Sequence, residues 1–286
     1  MNDVVVIGGG PGGVSAAVYA LRAGLSVTIL SKDSGALGKT DLLENYYGFP
    51  EPITGEELLT RGLAQAERLG AHIVHDEIVS LAFEDSLVAV GLADRYPAKA
   101  IVLATGAQRT TPPLPGLREF EGAGVSYCAI CDAFFYRGKD VAVLGAGDYA
   151  LHEAADLLPV AGSVTLLTNG APAPEHLPDG LLVDTRVVAA LDGQGKLRSA
   201  RFDDGGWLPI EGIFIALGVA GSDALARKLG ALTENGRILV DAHMATNVPG
   251  LFAAGDCTGG LKQIVKAAHE GAVAGMEAAK FIRAQK

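Results

Sequence analysis

Between positions 140 and 185 the chain has no lysine and no arginine, although these two types supply 23 of its 286 residues. A stretch that long without a cation has no side chain for gripping phosphate. Aromatic residues are scarce at 6%, with a single tryptophan. Only three cysteines occur, too few for the disulfide framework of a small secreted protein and in keeping with a reducing, cytoplasmic setting. No apolar run reaches the roughly 18 residues that a membrane-spanning helix needs. The opening run Asp3-Val4-Val5-Val6-Ile7-Gly8 reads as a core strand entering a glycine turn, not as a targeting segment. A formal net charge of -10 speaks against nucleic acid or an anionic membrane as partner. What is abundant is apolar and small: 49% hydrophobic residues and 38 glycines, enough for a sizeable core in two domains.

The pattern of strands and turns gives the organisation. Residues 3–7 read as a strand, 8–13 (GGGPGG) as a turn and 14–23 as an alanine-rich helix, followed by a strand at 25–30, a βαβ unit. A second copy of that pattern runs through 140–144, 145–158 and 163–168. Between them, Thr111-Pro112-Pro113-Leu114-Pro115-Gly116 reads as a stiff inter-domain linker. Residues 183–217 read as a small antiparallel meander turning at Asp192-Gly193 and Asp204-Gly205-Gly206, and 263–284 as a long closing helix. The expected fold class is α/β, with two Rossmann-like three-layer domains. The first is discontinuous, 1–112 with 238–286, and the second is an insertion, 113–237.

The first glycine turn has the form Gly8-x-Gly10-Pro11-Gly12-Gly13. Alone this pattern is weak, but a strand before it and a helix after it make it a site for a dinucleotide pyrophosphate: free helix N–H groups and a partial positive charge face the ligand. Counting about 20 residues on for the ribose-binding acid reaches Asp33, while the strand tip falls nearer Ser31 and Lys32. Ala104-Thr105-Gly106 closes another strand. The run Thr246-Asn247-Val248-Pro249-Gly250-Leu251-Phe252-Ala253-Ala254-Gly255-Asp256 ends a third with an acid at its tip. Asp256 there either accepts a hydrogen bond from a ligand hydroxyl or caps a helix.

Cys128 and Cys131, in Tyr127-Cys128-Ala129-Ile130-Cys131-Asp132, are spaced three apart at a helix start. That spacing lets two sulfurs meet in a disulfide, and a helix N-terminus favours a thiolate. Half of a zinc site and a pair of inert core thiols are the competing readings. Zinc needs further ligands, and Cys257 has neither a cysteine nor a histidine companion nearby in sequence, so no metal site is expected; Cys257 reads as a packing residue.

The three glycine-containing motifs together resemble the FAD motifs of the flavoproteins with two dinucleotide-binding domains. With the cysteine pair, and with Glu44-Asn45-Tyr46-Tyr47-Gly48-Phe49-Pro50, Phe134-Phe135-Tyr136-Arg137-Gly138-Lys139 and Lys262-Gln263, the chain resembles the low-molecular-weight thioredoxin reductases over nearly its whole length. The resemblance implies FAD as cofactor and a thioredoxin-like protein as disulfide substrate. It also implies an acid–base role for Asp132 on a thiol, a homodimer, and FAD contacts at Gly35, Leu37, Thr40, Asn45, Ile78, Lys262, Gln263 and Ile264.

The second glycine turn, Gly145-x-Gly147-x-x-Ala150, is followed by a strand ending Leu167-Thr168-Asn169-Gly170, with neither the arginines of an NADP site nor the acid of an NAD site. Seven acids lie between 140 and 185, and Tyr149 crowds the turn. NADPH-linked relatives carry a His-Arg-Arg run near this point. Its absence resembles the pyridine-nucleotide-independent branch of the family, which takes electrons from ferredoxin. For docking an acidic ferredoxin, the last helix offers Lys262, Lys266, Lys280, Arg283 and Lys286. An NADPH-dependent reductase drawing on Arg186, Arg198 or Arg201, a dithiol oxidase, and a non-enzymatic flavin redox sensor are the alternatives.

Overall fold

The structure, a computed structural model, describes residues 2–40, 42–106, 113–127, 129–217 and 222–285. The chain divides into two units, 1–109 with 221–286 and 110–220. In chain order the first unit contributes β1 (Asn2–Ile7), α1 (Pro11–Arg22), β2 (Val27–Ser31), α2 (Gly55–Arg68), β3 (His72–His75), β4 (Ile78–Phe83), β5 (Leu87–Gly91) and β6 (Arg95–Leu103). The second contributes β7 (Val125–Ser126), α3 (Ala129–Asp132), β8 (Asp140–Leu144), α4 (Asp148–Leu157), β9 (Ser163–Leu167), β10 (Leu182–Asp184), β11 (Val188–Gly193), β12 (Leu197–Phe202), β13 (Trp207–Pro209) and β14 (Gly212–Ile215). The first unit is completed by α5 (Ser222–Arg227), β15 (Thr233–Glu234), β16 (Arg237–Ile238), β17 (Leu251–Ala253) and α6 (Ile264–Ala284).

The sheet of the first unit runs β3-β2-β1-β6-β5-β4, with β17 also on β6. β6 pairs with β1 on one edge and is long enough to serve two partners on the other: Arg95–Ala98 pairs antiparallel with β5 and Ile101–Leu103 parallel with β17. Val4, Val5 and Val6 of β1 are completely buried, as befits a central parallel strand covered on both faces. Ile7, Leu103 and Ala253 are neighbours in register. The three strands that precede the glycine motifs therefore end side by side.

Helices α1 and α6 pack so closely that a Cβ on Gly271 would lie 2.0 Å from the Gly12 carbonyl oxygen and one on Gly275 2.3 Å from that of Ala16. Ser15 Oγ donates to the Ala268 carbonyl at 2.6 Å, across 253 residues of sequence. Because both contacts advance together along the two chains, the helices run parallel and present their N-termini to the same end of the sheet.

The base of this sheet is held by Asp3, whose carboxylate accepts from Ser26 N at 3.0 Å and from Lys99 Nζ at 2.7 Å. The Lys99 hydrogen bond first, and then the Ser26 amide, lower the Asp3 pKa to about 2. Folding therefore gains stability from this carboxylate above pH 4, and the gain is lost as pH falls from 3.8 through about 2. Asp3→Asn is expected to cost about 1 kcal/mol at pH 7, the pair being partly solvated, and only a small part of that at pH 2; urea titrations at the two pH values check this.

In the second unit, five strands order β10-β9-β8-β14-β7, all parallel, beside the antiparallel sheet β11-β12-β13. The expected meander over 183–217 is thus shorter than its sequence suggested, since β10 and β14 join the parallel sheet. All four residues of β14, Gly-Ile-Phe-Ile, are buried, which suits a strand covered on both faces rather than one facing solvent. The expected boundary at 237/238 also differs from the observed division at 220/221, because α5 packs on β4 and β16 of the first unit. The linker residues Thr111 and Pro112 lie outside the described residues.

Candidate functional site

At the carboxyl end of β1 the chain turns through Gly8, with φ +115°, and enters α1 with Pro11 at its first position. No side chain caps α1, and its first turn holds no acid, so its orphan N–H groups face outward with their partial charge uncompensated. A Cβ on Gly10 would meet nothing within 4 Å, leaving open space over those donors. α6 starts the same way, uncapped and without an acid. Gln263 at its N-cap accepts instead from Asn45 Nδ2 at 3.0 Å, which ties the 40s loop to the helix mouth.

The third motif is clamped from α6. Lys266 Nζ donates to the Gly255 carbonyl at 2.7 Å, to Thr258 Oγ1 at 2.8 Å and to the Gly259 carbonyl at 2.5 Å. Glu270 lies 2.9 Å from the same ammonium and accepts from Gly255 N and Thr258 Oγ1, both at 2.8 Å. Asp256 is thereby held half-exposed at the strand tip. The second motif has its own anchor: Ser222 Oγ meets Thr105 Oγ1 at 2.5 Å and donates to the Gly106 carbonyl at 3.1 Å. Cys257 is fully buried, points its Sγ at the Leu103 and Ala254 carbonyls, and has its thiol pushed up to about 12 by burial. It is an inert packing residue.

In the second unit, α3 begins at Ala129, and Asp132 ends it. Cys128 lies outside the described residues, as does the side chain of Cys131. Ser126 Oγ donates to Asp132 Oδ2 at 2.7 Å. Ala129 N donates to Glu153 Oε2 at 2.6 Å, and Glu153, from α4, is 1% exposed. The 3₁₀ turn Ala133–Tyr136 follows. It leaves Phe134 and Phe135 73% and 67% exposed, while burial first and Asp132 second push the Tyr136 hydroxyl up.

Residues 2–271 match the family model for pyridine nucleotide-disulphide oxidoreductases. A thioredoxin reductase from Peptoclostridium litorale is 35% identical, covering 98% of this chain and 96% of that protein. The chain belongs to the thioredoxin reductase family. Among solved structures, the atypical thioredoxin reductase TRi from Desulfovibrio vulgaris Hildenborough superimposes with a TM-score of 0.93 at 40% identity, covering 100% of this chain and 99% of that one. A ferredoxin-flavin thioredoxin reductase from Clostridium acetobutylicum gives 0.73 at 30% identity, covering 99% and 98%. Membership makes the protein an enzyme, a disulfide oxidoreductase of thioredoxin reductase type, and implies FAD as its cofactor.

The first unit fits that cofactor. Two parallel helices aim uncapped N-termini at one edge, and an open space lies over Gly10, the arrangement a pyrophosphate needs. The other expected contacts are held by partners of their own. Ser31 ends β2, with its Oγ donating to the Asp33 carbonyl. The Asp33 carboxylate accepts from Gly35 N at 2.8 Å. Lys32 pairs with Glu77 beside the buried Ile78. Leu37 opens a 3₁₀ turn closed by Thr40, whose carbonyl accepts from Gly55 N at the head of α2. Lys262, Gln263 and Ile264 lead into α6.

Not every thioredoxin reductase motif is matched. Gly145 and Gly147 precede α4 as expected, but exposed Asp148 stands in its first turn, where an anion would be repelled. Tyr149 is buried under the turn. Arg186, the first guanidinium after that turn in sequence, is committed elsewhere. Its Nε and Nη2 bond Asp184 at 3.0 and 2.5 Å, Nη1 lies 3.5 Å from Asp204, and Cζ sits 3.9 Å from the Phe202 ring centre. Those bonds hold the Asp184 carboxyl below its usual range. Arg201 pairs with Asp192 at 3.0 Å.

The cations expected along the last helix mostly have partners within the chain. Lys266 is turned inward onto the flavin-motif loop, Lys280 pairs with Glu277 at 2.6 Å, and Arg283 donates to the Ala23 carbonyl at 2.7 Å. Lys262 alone among the described four is exposed without such a partner; Lys286 lies outside the described residues. Sequence reading also missed Ser222, Glu153 and the Lys266–Glu270 clamp. Only the last left a signal, the i,i+4 spacing of opposite charges on one helix.

Proposed function

We propose that this enzyme binds FAD in its first unit and reduces a thioredoxin-like protein through Cys128 and Cys131, drawing electrons from a reduced ferredoxin rather than from NADPH. Gly8, Gly10, Pro11, Gly12 and Gly13, with the N-terminus of α1, would hold the pyrophosphate. Ser31, Lys32, Gly35 and Ile78 would flank the adenosine, while Leu37, Thr40, Asn45, Ala104, Thr105, Gly106, Gly255, Asp256, Lys262, Gln263 and Ile264 would line the rest. When bound, FAD supplies a store of two electrons that can be filled singly and emptied as a pair. Asp256 would accept a hydrogen bond from a ribityl hydroxyl, and the α6 N-terminus would favour negative charge on the ring.

On the protein side, Ser126 orients Asp132, which would give and take the proton of the neighbouring thiol. The exposed Phe134 and Phe135, beside the cysteine helix, supply an apolar surface for a protein substrate. Energy favours the direction: from a ferredoxin at roughly -400 mV to thioredoxin at roughly -270 mV, two electrons release about 6 kcal/mol.

The observation that carries the donor assignment is the contrast between two glycine turns in one chain. α1 begins bare of acid, and α4 begins with Asp148, with Arg186, the first arginine to follow it, locked onto Asp184. The similarity to a ferredoxin-flavin thioredoxin reductase supports the same reading. Anaerobic stopped-flow spectroscopy tests it. Reduced ferredoxin is expected to bleach the flavin band within turnover time, and NADPH at millimolar concentration at least about 100-fold more slowly, the difference a lost bidentate phosphate clamp makes. Equal rates would return the enzyme to the NADPH-dependent class.

A further inference from the structure

We propose that Glu153 is a positioning residue for the cysteine pair: its buried carboxylate takes the Ala129 amide at the head of the cysteine helix and so keeps the reduced pair less ionised and more strongly reducing. This rests on reading Cys128 and Cys131 as the redox pair.

Ala129 is bonded directly to Cys128, and its N–H is among the orphan donors at the start of α3. At a helix start such amides ordinarily stabilise a thiolate. Here the amide is occupied, at 2.6 Å, by Glu153 Oε2, and the occupant carries a negative charge in a site 1% exposed. Both effects work against an anionic sulfur on the residue that precedes Ala129 in the chain. The carboxylate comes from one face of α4: Tyr149, four residues earlier and 2% exposed, reaches the Tyr127 carbonyl at 3.5 Å. The helix of the second glycine turn therefore grips the chain on both sides of Cys128.

Other charged or titratable groups surround α3. Asp132 adds a second carboxylate, Tyr149 and Tyr136 are phenols, and His152 lies 3.9 Å from Asp156. Arg137 and Lys139 stand over the rings of Phe134 and Tyr136, each at 5.7 Å.

The redox consequence follows from balance. Reducing the disulfide breaks one S–S bond with two electrons delivered through the flavin; the two sulfurs end as thiols when two protons are taken up, or as one thiol and one thiolate when one is. Whatever disfavours the thiolate disfavours the reduced form. The pair's potential then falls, and the dithiol becomes the stronger reductant toward its protein substrate.

The test uses the FAD-loaded enzyme. Glu153→Gln keeps an acceptor oxygen for Ala129 and removes the charge. Glu153→Asp keeps the charge and withdraws it by one methylene. Equilibration with dithiothreitol buffers, read by alkylation and mass spectrometry, is expected to show E153Q about tenfold further toward dithiol, a shift of about 30 mV for a two-electron couple. Iodoacetamide is expected to alkylate its reduced form about tenfold faster at pH 7. E153D is expected to move both readings the same way by less, so that a fold defect in one variant leaves the other to decide. Wild-type midpoints and alkylation profiles in the folded variants, or shifts of opposite sign, would overturn the inference. A wild-type enzyme with no exchangeable Cys128–Cys131 disulfide would instead overturn the redox-pair reading and this inference with it.

Discussion

Replacing either Cys128 or Cys131 with serine is expected to lower steady-state disulfide reduction by at least about a thousandfold, the scale seen when a covalent nucleophile is removed. Flavin content and its reduction by the electron donor are expected to stay near wild type. The separation follows from the two units: the FAD motifs all fall within 1–109 and 221–286, the cysteines within 110–220. A serine variant that still turned over thioredoxin would exclude the pair from the reaction. One that lost flavin would show that the two functions are not separable in this way.

An effect of similar size is expected at Gly13, and its contrast with Gly10 locates the cofactor. A Cβ on Gly13 would stand 1.8 Å from the Gly8 carbonyl oxygen and 3.0 Å from Val6 Cγ1. Gly8 cannot move aside, since at φ +115° its own Cβ position lies 2.2 Å from the Ala104 carbonyl oxygen. Gly13→Ala is therefore expected to open the turn, to cost about 3 kcal/mol in folding as overpacking does, and to yield protein without flavin. At Gly10 the protein has room for a methyl group and the backbone is ordinary, φ -76°. Gly10→Ala is expected to leave the melting temperature of the flavin-free protein unchanged, yet to weaken FAD binding at least about tenfold, about 1.4 kcal/mol. Unaltered FAD affinity in Gly10→Ala would place the pyrophosphate elsewhere.

The features that sequence exposed are those whose physics is local. Gly8 through Gly13 read as a strand–turn–helix junction because conformational freedom and helix-terminus chemistry are settled within six residues. The missing cations between 140 and 185 were equally plain, and the structure adds why Arg186 does not substitute for them: its guanidinium is bonded to Asp184 and stacked on Phe202. What escaped is long-range. Ser222 reaches the Thr105–Gly106 turn across more than 100 residues, and Glu153 reaches Ala129 from a different helix. β14 was read as the end of a meander because a short apolar strand announces burial without naming its neighbours; its pairing with β7 and β8 decided the sheet. Lys266 was read as a surface charge because a long basic side chain on a helix usually is one, whereas four polar atoms of the flavin-motif loop and its helix draw it inward.

The contact between α1 and α6 bears on how the enzyme is made. Glycine-to-backbone contact allows no substitute partner, and the two helices are joined across 253 residues. While a nascent chain is being synthesised, the first glycine turn has no wall to close against until α6 has left the ribosome. The parallel sheet bearing the cysteine helix, complete by residue 215, is free to form earlier. The first glycine turn is consequently expected to be completed after the sheet that bears the cysteine helix.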